Sequence, residues 1–504
     1  MAVAAGAPAM IDWAEVAKHN AKDDCWVVLH GHVWDLTPFL DEHPGGSNIV
    51  VKYAGFDGTK AFAPLHPKDI TDTLPKECYK GPINPDSAMT DEQKAGPGKK
   101  KSDHGEAAAP QTKPPLSSMV NIWDLEAVAK SQVGKEAWDY LNSGGDDEIT
   151  FRENHVAFTR IWLLPRCLIN VAEVDYSWEM LGTKCSFPIY VTATALGRLY
   201  HEDGEMCLTK AAAAKGIIQM CPTLASCTMD EMLSVKVPSQ TQWWQLYVNA
   251  DRELTKKVVK KAEDAGMKGL FITVDAPQLG RRERDMRNKA EQTADVQGEQ
   301  KEEVKKNQGT TRAISSFIDP SLNWDDIKWF QSITNMPIIL KGIQCSEDAI
   351  KAVEYGVQGI VCSNHGGRQI DTSRSGIEVL EEVMDALEEK GLQDKMEVFV
   401  DGGIRRATDI FKCLALGAKG CGLGRPFLYG IGSYGQEGAE KVVDILMAEM
   451  EMCMRLMGTP TLKDINRKHV MTRNLADHMS VPLPASLPEA SYDALRPVAV
   501  ASKM

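Results

Sequence analysis

Eight short apolar runs in one stretch of chain constrain the fold more than any other feature. They are FPIYVTATA from 187, GIIQMCPTLA from 216, QWWQLYV from 242, GLFITVDAP from 269, MPIILKGI from 336, GIVCSNHGG from 359, MEVFVDGG from 396 and KGCGLGRPF from 419. Nearly unbroken apolarity, in place of alternation, marks strands buried on both faces. The stretches between them, such as ADRELTKKVVKKAEDAGMK and SEDAIKAVEYGVQ, suit amphipathic helices. Eight strand-and-helix units predict a (β/α)8 barrel, whose chemistry sits at the C-terminal ends of its strands. A doubly wound sheet is the runner-up.

Ahead of this large unit lies a compositional break. Residues 86–118 are rich in Pro, Gly, Ala and Lys and nearly devoid of large apolar side chains, so they predict a flexible linker. The preceding unit, 9–85, opens with a helix signal and continues as CWVVLHGHVWDLTPFL, two apolar runs around a polar HGH that predict a hairpin in a small α+β domain. The large domain then occupies 119–480. It is interrupted at 283–312 by a polar excursion, expected to be mobile or else a solvated helix, and is followed by a tail, 481–504.

Seventy acidic against 57 basic residues, a net charge of -13, argue against a protein that coats nucleic acid or anionic membrane. Twelve cysteines without a C-x-x-C pair suggest neither a disulfide framework nor a zinc site. No apolar run approaches the roughly 20 residues of a membrane span. The N-terminus carries no recognisable signal or Arg-rich presequence.

In the small unit, His43 opens HPGG and His66 follows in AFAPLH. Imidazoles are good axial ligands for haem iron, although spacing alone fits two surface histidines equally well. The segment DCWVVLHGHVWDLTPFLDEHPGG with the later histidine resembles a cytochrome b5-type haem domain. That resemblance implies haem b with His43 and His66 as its two ligands. An iron so ligated shuttles electrons.

The large unit concentrates chemistry at its predicted strand ends. SNHGGRQ after the sixth strand offers His365 as a base and Arg368 as a fork for a carboxylate. Asp275 after the fourth strand suits an orienting acid, with Arg282 beyond it. Tyr247 ends the third strand, Lys341 ends the fifth, and Tyr140 precedes the barrel. Such a set suits a small anion bearing a hydroxyl, whereas each residue alone would more often be packing material. VDGGIRR and GLGRP after strands seven and eight supply glycines and cations where barrels of this type bind phosphate.

With these motifs, residues 120–480 resemble the FMN-dependent (S)-2-hydroxy-acid dehydrogenase and oxidase family, and the haem unit in front resembles its L-lactate-oxidising branch. The resemblance implies His365 as catalytic base partnered by Asp275. It implies Arg368 and Tyr140, assisted by Arg282, on the substrate carboxylate, and Tyr247 on its oxygen at C2. Lys341 would face the flavin N1/O2 edge. Thr194, Gln245, Thr273 and Ser363 would contact the isoalloxazine or ribityl parts, Asp401 the ribityl chain, and Gly403, Arg405, Gly424 and Arg425 the phosphate region. The implied reaction oxidises a small 2-hydroxy acid, lactate first, with electrons leaving through haem to cytochrome c or another one-electron acceptor. Loss of a proton or of hydride from C2 stays open, as does an alternative in which oxygen is the acceptor and hydrogen peroxide the product. An inactive barrel carrying a haem module is the reading from outside enzymology.

By the same resemblance, Ala195 and Leu224 match positions lining a small aliphatic pocket, and Pro222 stands where the lactate-oxidising branch has a hydroxyl-bearing residue near the flavin, so that a hydrogen bond to the flavin is either absent or supplied by Thr223. The terminal Ser502-Lys503-Met504 resembles a peroxisomal address, with cytoplasm and the mitochondrial intermembrane space as alternatives. The family tendency implies a homotetramer.

Overall fold

A computed structural model describes residues 10–40, 43, 47–66, 70–71, 74–89, 93, 113–287 and 318–478. Each of the eight apolar runs contains one strand: Ile189–Val191 (β1), Ile218–Cys221 (β2), Gln242–Leu246 (β3), Leu270–Thr273 (β4), Ile338–Ile343 (β5), Gly359–Cys362 (β6), Glu397–Asp401 (β7) and Gly420–Leu423 (β8). All neighbours pair in parallel, and β8 pairs with β1 to close a barrel. The doubly wound alternative is thereby excluded.

Period-two geometry sends alternate side chains inward. Tyr190, Trp243, Phe271 and Phe399 meet on the axis, with Trp243 and Phe271 stacked at 4.8 Å, so the barrel is filled and not a pore. Truncating one of these rings to alanine would cost about 3–5 kcal/mol. A hairpin of Trp178–Met180 and Thr183–Cys185 plugs the bottom. Met180 joins the axial cluster, Trp178 Nε1 donates to the Lys419 carbonyl at 2.6 Å, and the Leu181 N–H donates to the Glu397 carboxylate at 2.8 Å. Since residues 397 and 419 stand at strand starts, the plug leaves only the C-terminal mouth open.

Among the described residues, the helices Ile122–Gln132, Lys135–Leu141 and Ile149–Thr159 lie between the small unit and the barrel, the second of them carrying Tyr140 to the mouth. The last barrel helix, Arg425–Met457, breaks at Tyr434 and Gly435, where Gly435 takes φ 61°. All twelve cysteines are unpaired and ten are buried, as core material.

The small unit folds around an antiparallel sheet ordered Asn20–Ala21, Asp24–Leu29, His32–Asp35, Tyr79–Pro82. His30 and Gly31, both at positive φ, make the hairpin turn inside HGH. Val27 and Leu29 face one apolar cluster while Val28 and Val33 face another with Trp13 and Val16. The opening helix is only Trp13–Val16. The expected linker is partly tied down. Ser87 accepts from the Trp13 N–H at 3.1 Å and Gln93 donates to the carbonyls of Trp13 and Gly55, so the small domain runs past 85. At the far end, Lys113 donates to the Ser433 carbonyl. Residues 94–112, most of the 283–312 excursion and the 481–504 tail lie outside the described residues. Among the described residues, no helix is long and apolar enough to cross a membrane.

Candidate active site and haem site

The open mouth of the barrel holds a cavity with an empty volume of about 1190 Å³, mouth included. At its centre, His365 sits with a left-handed backbone, φ 59°, its N–H donating to Ser363 Oγ at 3.1 Å. Such strain in a non-glycine residue persists only where surrounding contacts over-determine it. His365 Nδ1 lies 3.0 Å from Asp275 Oδ1 and its Nε2 lies 3.1 Å from the Tyr247 hydroxyl. With Nδ1–H donating to the carboxylate, Nε2 presents its lone pair to the cavity.

Burial holds the His365 imidazole below its ordinary pKa, against the pull of Asp275, so it rests neutral at pH 7. Asp275 is also buried, yet its partners His365 and Lys341 keep it below the usual carboxylate range. Burial pushes the Tyr247 phenol up, so it stays a hydrogen-bond donor. Gly342 makes the pairing possible: at φ 116° it faces Asp275, and an added Cβ would stand 2.5 Å from Asp275 Cβ.

Two cations flank this pair. Arg368 lies 4.9 Å from the Tyr140 ring and donates to the carbonyls of Tyr140 and Ser143, at 2.8 and 3.1 Å. Arg282, buried beside it, is lowered to about 10 by desolvation and by the Arg368 charge, which leaves it cationic at neutral pH. Lys341 stands behind, 3.3 Å from Asp401 Oδ2 and 3.2 Å from Ser363 Oγ. Burial opposes its charge, but Asp401 and Asp275 outweigh that and raise its pKa.

A flavin fits this environment. The hydroxyls of Thr192 and Thr194 and the Nε of Arg405 are buried with no partner, so polar groups facing the cavity await a polar ligand. Asp401, Gly403, Arg405, Gly424 and Arg425 line the end expected to take phosphate. Gly403, at φ 78°, presses so close that an added Cβ would overlap the Asn154 carbonyl oxygen at 1.8 Å. Arg425 is different from Arg405: its guanidinium already donates to the carbonyls of Leu141, Ser143 and Gly366. It braces the mouth as much as it faces the ligand. Gln245 Nε2 donates to Thr273 Oγ1 at 2.9 Å, and its Oε1 accepts from the Thr223 N–H. Ser363 does not line the cavity, because its hydroxyl is engaged by Asp401, Lys341 and the His365 N–H.

Sequence reasoning overlooked Thr192, although the T-x-T spacing with Thr194 signals it, and Leu279, which lines the same cavity as Ala195, Pro222 and Leu224. It also overlooked Glu205. This fully buried carboxylate accepts from the N–H groups of Gly197, Ser226 and Cys227 and from Ser226 Oγ, tying together the two loops that carry Ala195 and Leu224.

In the small domain, the rings of His43 and His66 face each other with centroids 6.2 Å apart. Two imidazoles sharing one metal at about 2 Å per bond require a similar separation. His66 Nδ1 lies 3.2 Å from the Phe62 carbonyl, which fixes the tautomer and leaves Nε2 to ligate. Burial lowers His66 to about 4, so it stands neutral and able to bind iron. Pro44–Gly46 lie outside the described residues.

Comparison with known proteins agrees with this geometry. The family profile described as FMN-dependent dehydrogenase matches residues 129–472, and that of the cytochrome b5-like haem/steroid binding domain matches 12–84. The L-lactate dehydrogenase (cytochrome) of Wickerhamomyces anomalus is 50% identical over 461 residues, covering 91% of this chain and 79% of the relative. That of Saccharomyces cerevisiae is 48% identical over 466 residues, covering 90% and 78%. A peroxisomal (S)-2-hydroxyacid oxidase of Arabidopsis thaliana is 44% identical but covers only 71% of this chain, with 98% of its own. The solved flavin-binding domain of baker's yeast flavocytochrome b2 superposes with a TM-score of 0.68 at 44% identity, covering 76% of this chain and 94% of that one. Fold and site thus define a flavin-dependent oxidoreductase with a haem domain attached. The chain belongs to the FMN-dependent dehydrogenase family and carries a cytochrome b5-like domain at its N-terminal side.

Proposed function

We propose that the chain oxidises L-lactate, or a closely similar (S)-2-hydroxy acid, to the 2-oxo acid and delivers the electrons singly, through haem b, to an acceptor such as cytochrome c. The observation that carries this reading is the His365–Asp275 pair set between Tyr247 and two arginines in one cavity. Similarity along both domains to two L-lactate dehydrogenases (cytochrome) supports lactate and a cytochrome acceptor.

Arg368 and Tyr140 hold the substrate carboxylate, with Arg282 adding positive charge. Tyr247 donates to the oxygen on C2, and Nε2 of neutral His365 takes a proton from the substrate. The imidazolium so formed is stabilised by Asp275, whose negative charge is already in contact with Nδ1. Ala195, Leu224 and Leu279 leave room for a short aliphatic side chain. Lys341, held cationic by Asp401, would place its positive charge beside the bound flavin and favour its reduced, anionic form. When bound, FMN supplies the two-electron acceptor and haem the one-electron outlet. Thr192, Thr194, Gln245, Thr273 and Asp401 would orient the flavin. Gly403, Arg405, Gly424 and Arg425 would receive its phosphate, and His43 and His66 would hold the haem iron.

Anaerobic stopped-flow mixing of holoprotein with L-lactate tests the whole reading. Flavin bleaching followed by haem reduction is expected. Bleaching without haem reduction, with peroxide formed in air, would favour the oxidase reading that the similarity of the barrel alone to plant oxidases motivates. We also propose a peroxisomal destination from Ser502–Met504, tested by deleting the tripeptide in a fluorescent fusion. A homotetramer, tested by sedimentation, completes the reading.

A further inference from the structure

Outside the cavity, one cluster joins three different metal-binding side chains. His201 follows the turn Gly197–Leu199, Asp203 lies two residues on, and Cys207 sits in the first turn of the helix Glu205–Lys215. One ligand atom of each lies within 4.8 Å of the other two. We propose that His201, Asp203 and Cys207 form a three-ligand site for a borderline-soft divalent cation, Zn²⁺ above all.

The donor geometry argues for a metal. His201 Nδ1 and Cys207 Sγ are 3.4 Å apart, and the edge of a tetrahedral zinc site between nitrogen and sulfur is about 3.6 Å. His201 offers Nδ1 because its Nε2 edge packs against Gly435, where an added Cβ would stand 2.8 Å away; Nδ1 accepts from the Asp203 N–H at 3.2 Å, a hydrogen bond that an ion would replace. Asp203 is held only loosely, with Lys210 Nζ 3.7 Å from Oδ2, so its carboxylate can turn onto an ion. Cys207 is buried while His201 and Asp203 are half-buried, which leaves the fourth vertex to water.

The donor set also selects the ion. Thiolate plus imidazole disfavours Mg²⁺ and Ca²⁺, which take all-oxygen shells, and favours Zn²⁺. On binding, the thiol proton leaves to solvent and the sulfur takes the metal bond, with no change of oxidation state.

The position gives the site a structural consequence. Gly435 is the break in the helix Arg425–Met457, and the adjoining Ser433 and Tyr434 anchor the end of the interdomain segment through Lys113 and the Pro114 carbonyl. Tyr200, next to His201, lines the flavin cavity. A bound ion would therefore stiffen residues 201–207, which follow Tyr200 of the cavity wall and pack through His201 against the helix break at Gly435.

Equilibrium dialysis of untagged holoenzyme against Zn²⁺, with bound metal counted per chain by plasma mass spectrometry, tests this. One tight zinc per chain is expected. His201→Gln, His201→Ala and Cys207→Ser should each weaken binding at least about tenfold, while Cys167→Ser, at the exposed cysteine, leaves it unchanged. Retained FMN and haem in each variant certify its fold. No tight zinc in the parent protein, or equal zinc in the folded His201 and Cys207 variants, would overturn the site and leave only a thiol–imidazole hydrogen bond.

Discussion

Replacing Asp275 by asparagine isolates the charge behind the base. The carboxylate stands 3.0 Å from His365 Nδ1. At that distance, with an effective dielectric of about 20, it favours the imidazolium by about 5 kcal/mol. Asparagine keeps a neutral hydrogen bond worth about 1–2 kcal/mol. The remaining loss of about 3–4 kcal/mol falls on the step that charges the imidazole, and slows flavin reduction about 10²- to 10³-fold. The sign of the pH effect is fixed as well. Burial already holds His365 below its ordinary value while Asp275 pulls it upward, so removing that charge lets the pKa fall further. The base is active when deprotonated, so the acid limb of the rate profile should move to lower pH even as the plateau drops. Anaerobic stopped-flow flavin bleaching with saturating L-lactate, followed across pH, reads both. A plateau within about tenfold of the parent, or an acid limb moved to higher pH, would refute the reasoning.

Gly342→Ala should imitate that loss with both partners still in the sequence, because its Cβ displaces Asp275; an unchanged bleaching rate would show that the wall yields. His66→Ala removes a proposed iron ligand, so cytochrome c reduction should fall to background while lactate still bleaches the flavin in the first turnover, and persistence of the reduced-haem bands would count against the assignment. Arg405→Ala, which deletes a buried guanidinium with an unpartnered Nε, should weaken FMN binding about 10- to 100-fold, the loss of one charged hydrogen bond, as measured by recovery of flavin fluorescence on dilution. Leu224→Ala opens the wall beside Ala195 and should shift kcat/KM from lactate toward longer or aromatic 2-hydroxy acids by about 1–3 kcal/mol, a change that competition assays resolve.

The strands of the barrel were legible because each is buried on both faces and therefore reads as a solid apolar run of its own. His365, Arg368, Asp275, Lys341 and Tyr247 were legible for the same reason, since each lies on or just beyond one of those runs. What the sequence concealed are residues defined by a partner far along the chain. Nothing local in EDGEMC says that Glu205 will take four donors from loops on either side of it. Nothing in the 172–186 segment says that Met180 will close the bottom of a barrel whose last strand lies 240 residues later. Gly342 reads as an ordinary strand glycine until Asp275 is seen against it.

Arg425 shows why motif and role can separate. As part of GLGRP it reads as a phosphate ligand, and it does line the cavity. Its three guanidinium nitrogens nevertheless each meet a backbone carbonyl, on Leu141, Gly366 and Ser143. Burial and the neighbouring Arg368 charge bring it down to about 9, a cost that a bound anion would relieve and that the carbonyl dipoles already offset in part. The same side chain can thus brace the segment carrying Tyr140 and Ser143 and complete the phosphate end. The Arg405 guanidinium donates to the Ile404 carbonyl and lies over the rings of Trp123 and Tyr429 at 5.7 and 5.6 Å, but meets no carbonyl of the segment carrying Tyr140. The two arginines should therefore fail differently: loss of Arg405 acts on FMN affinity, whereas loss of Arg425 disturbs the substrate-side Tyr140 as well.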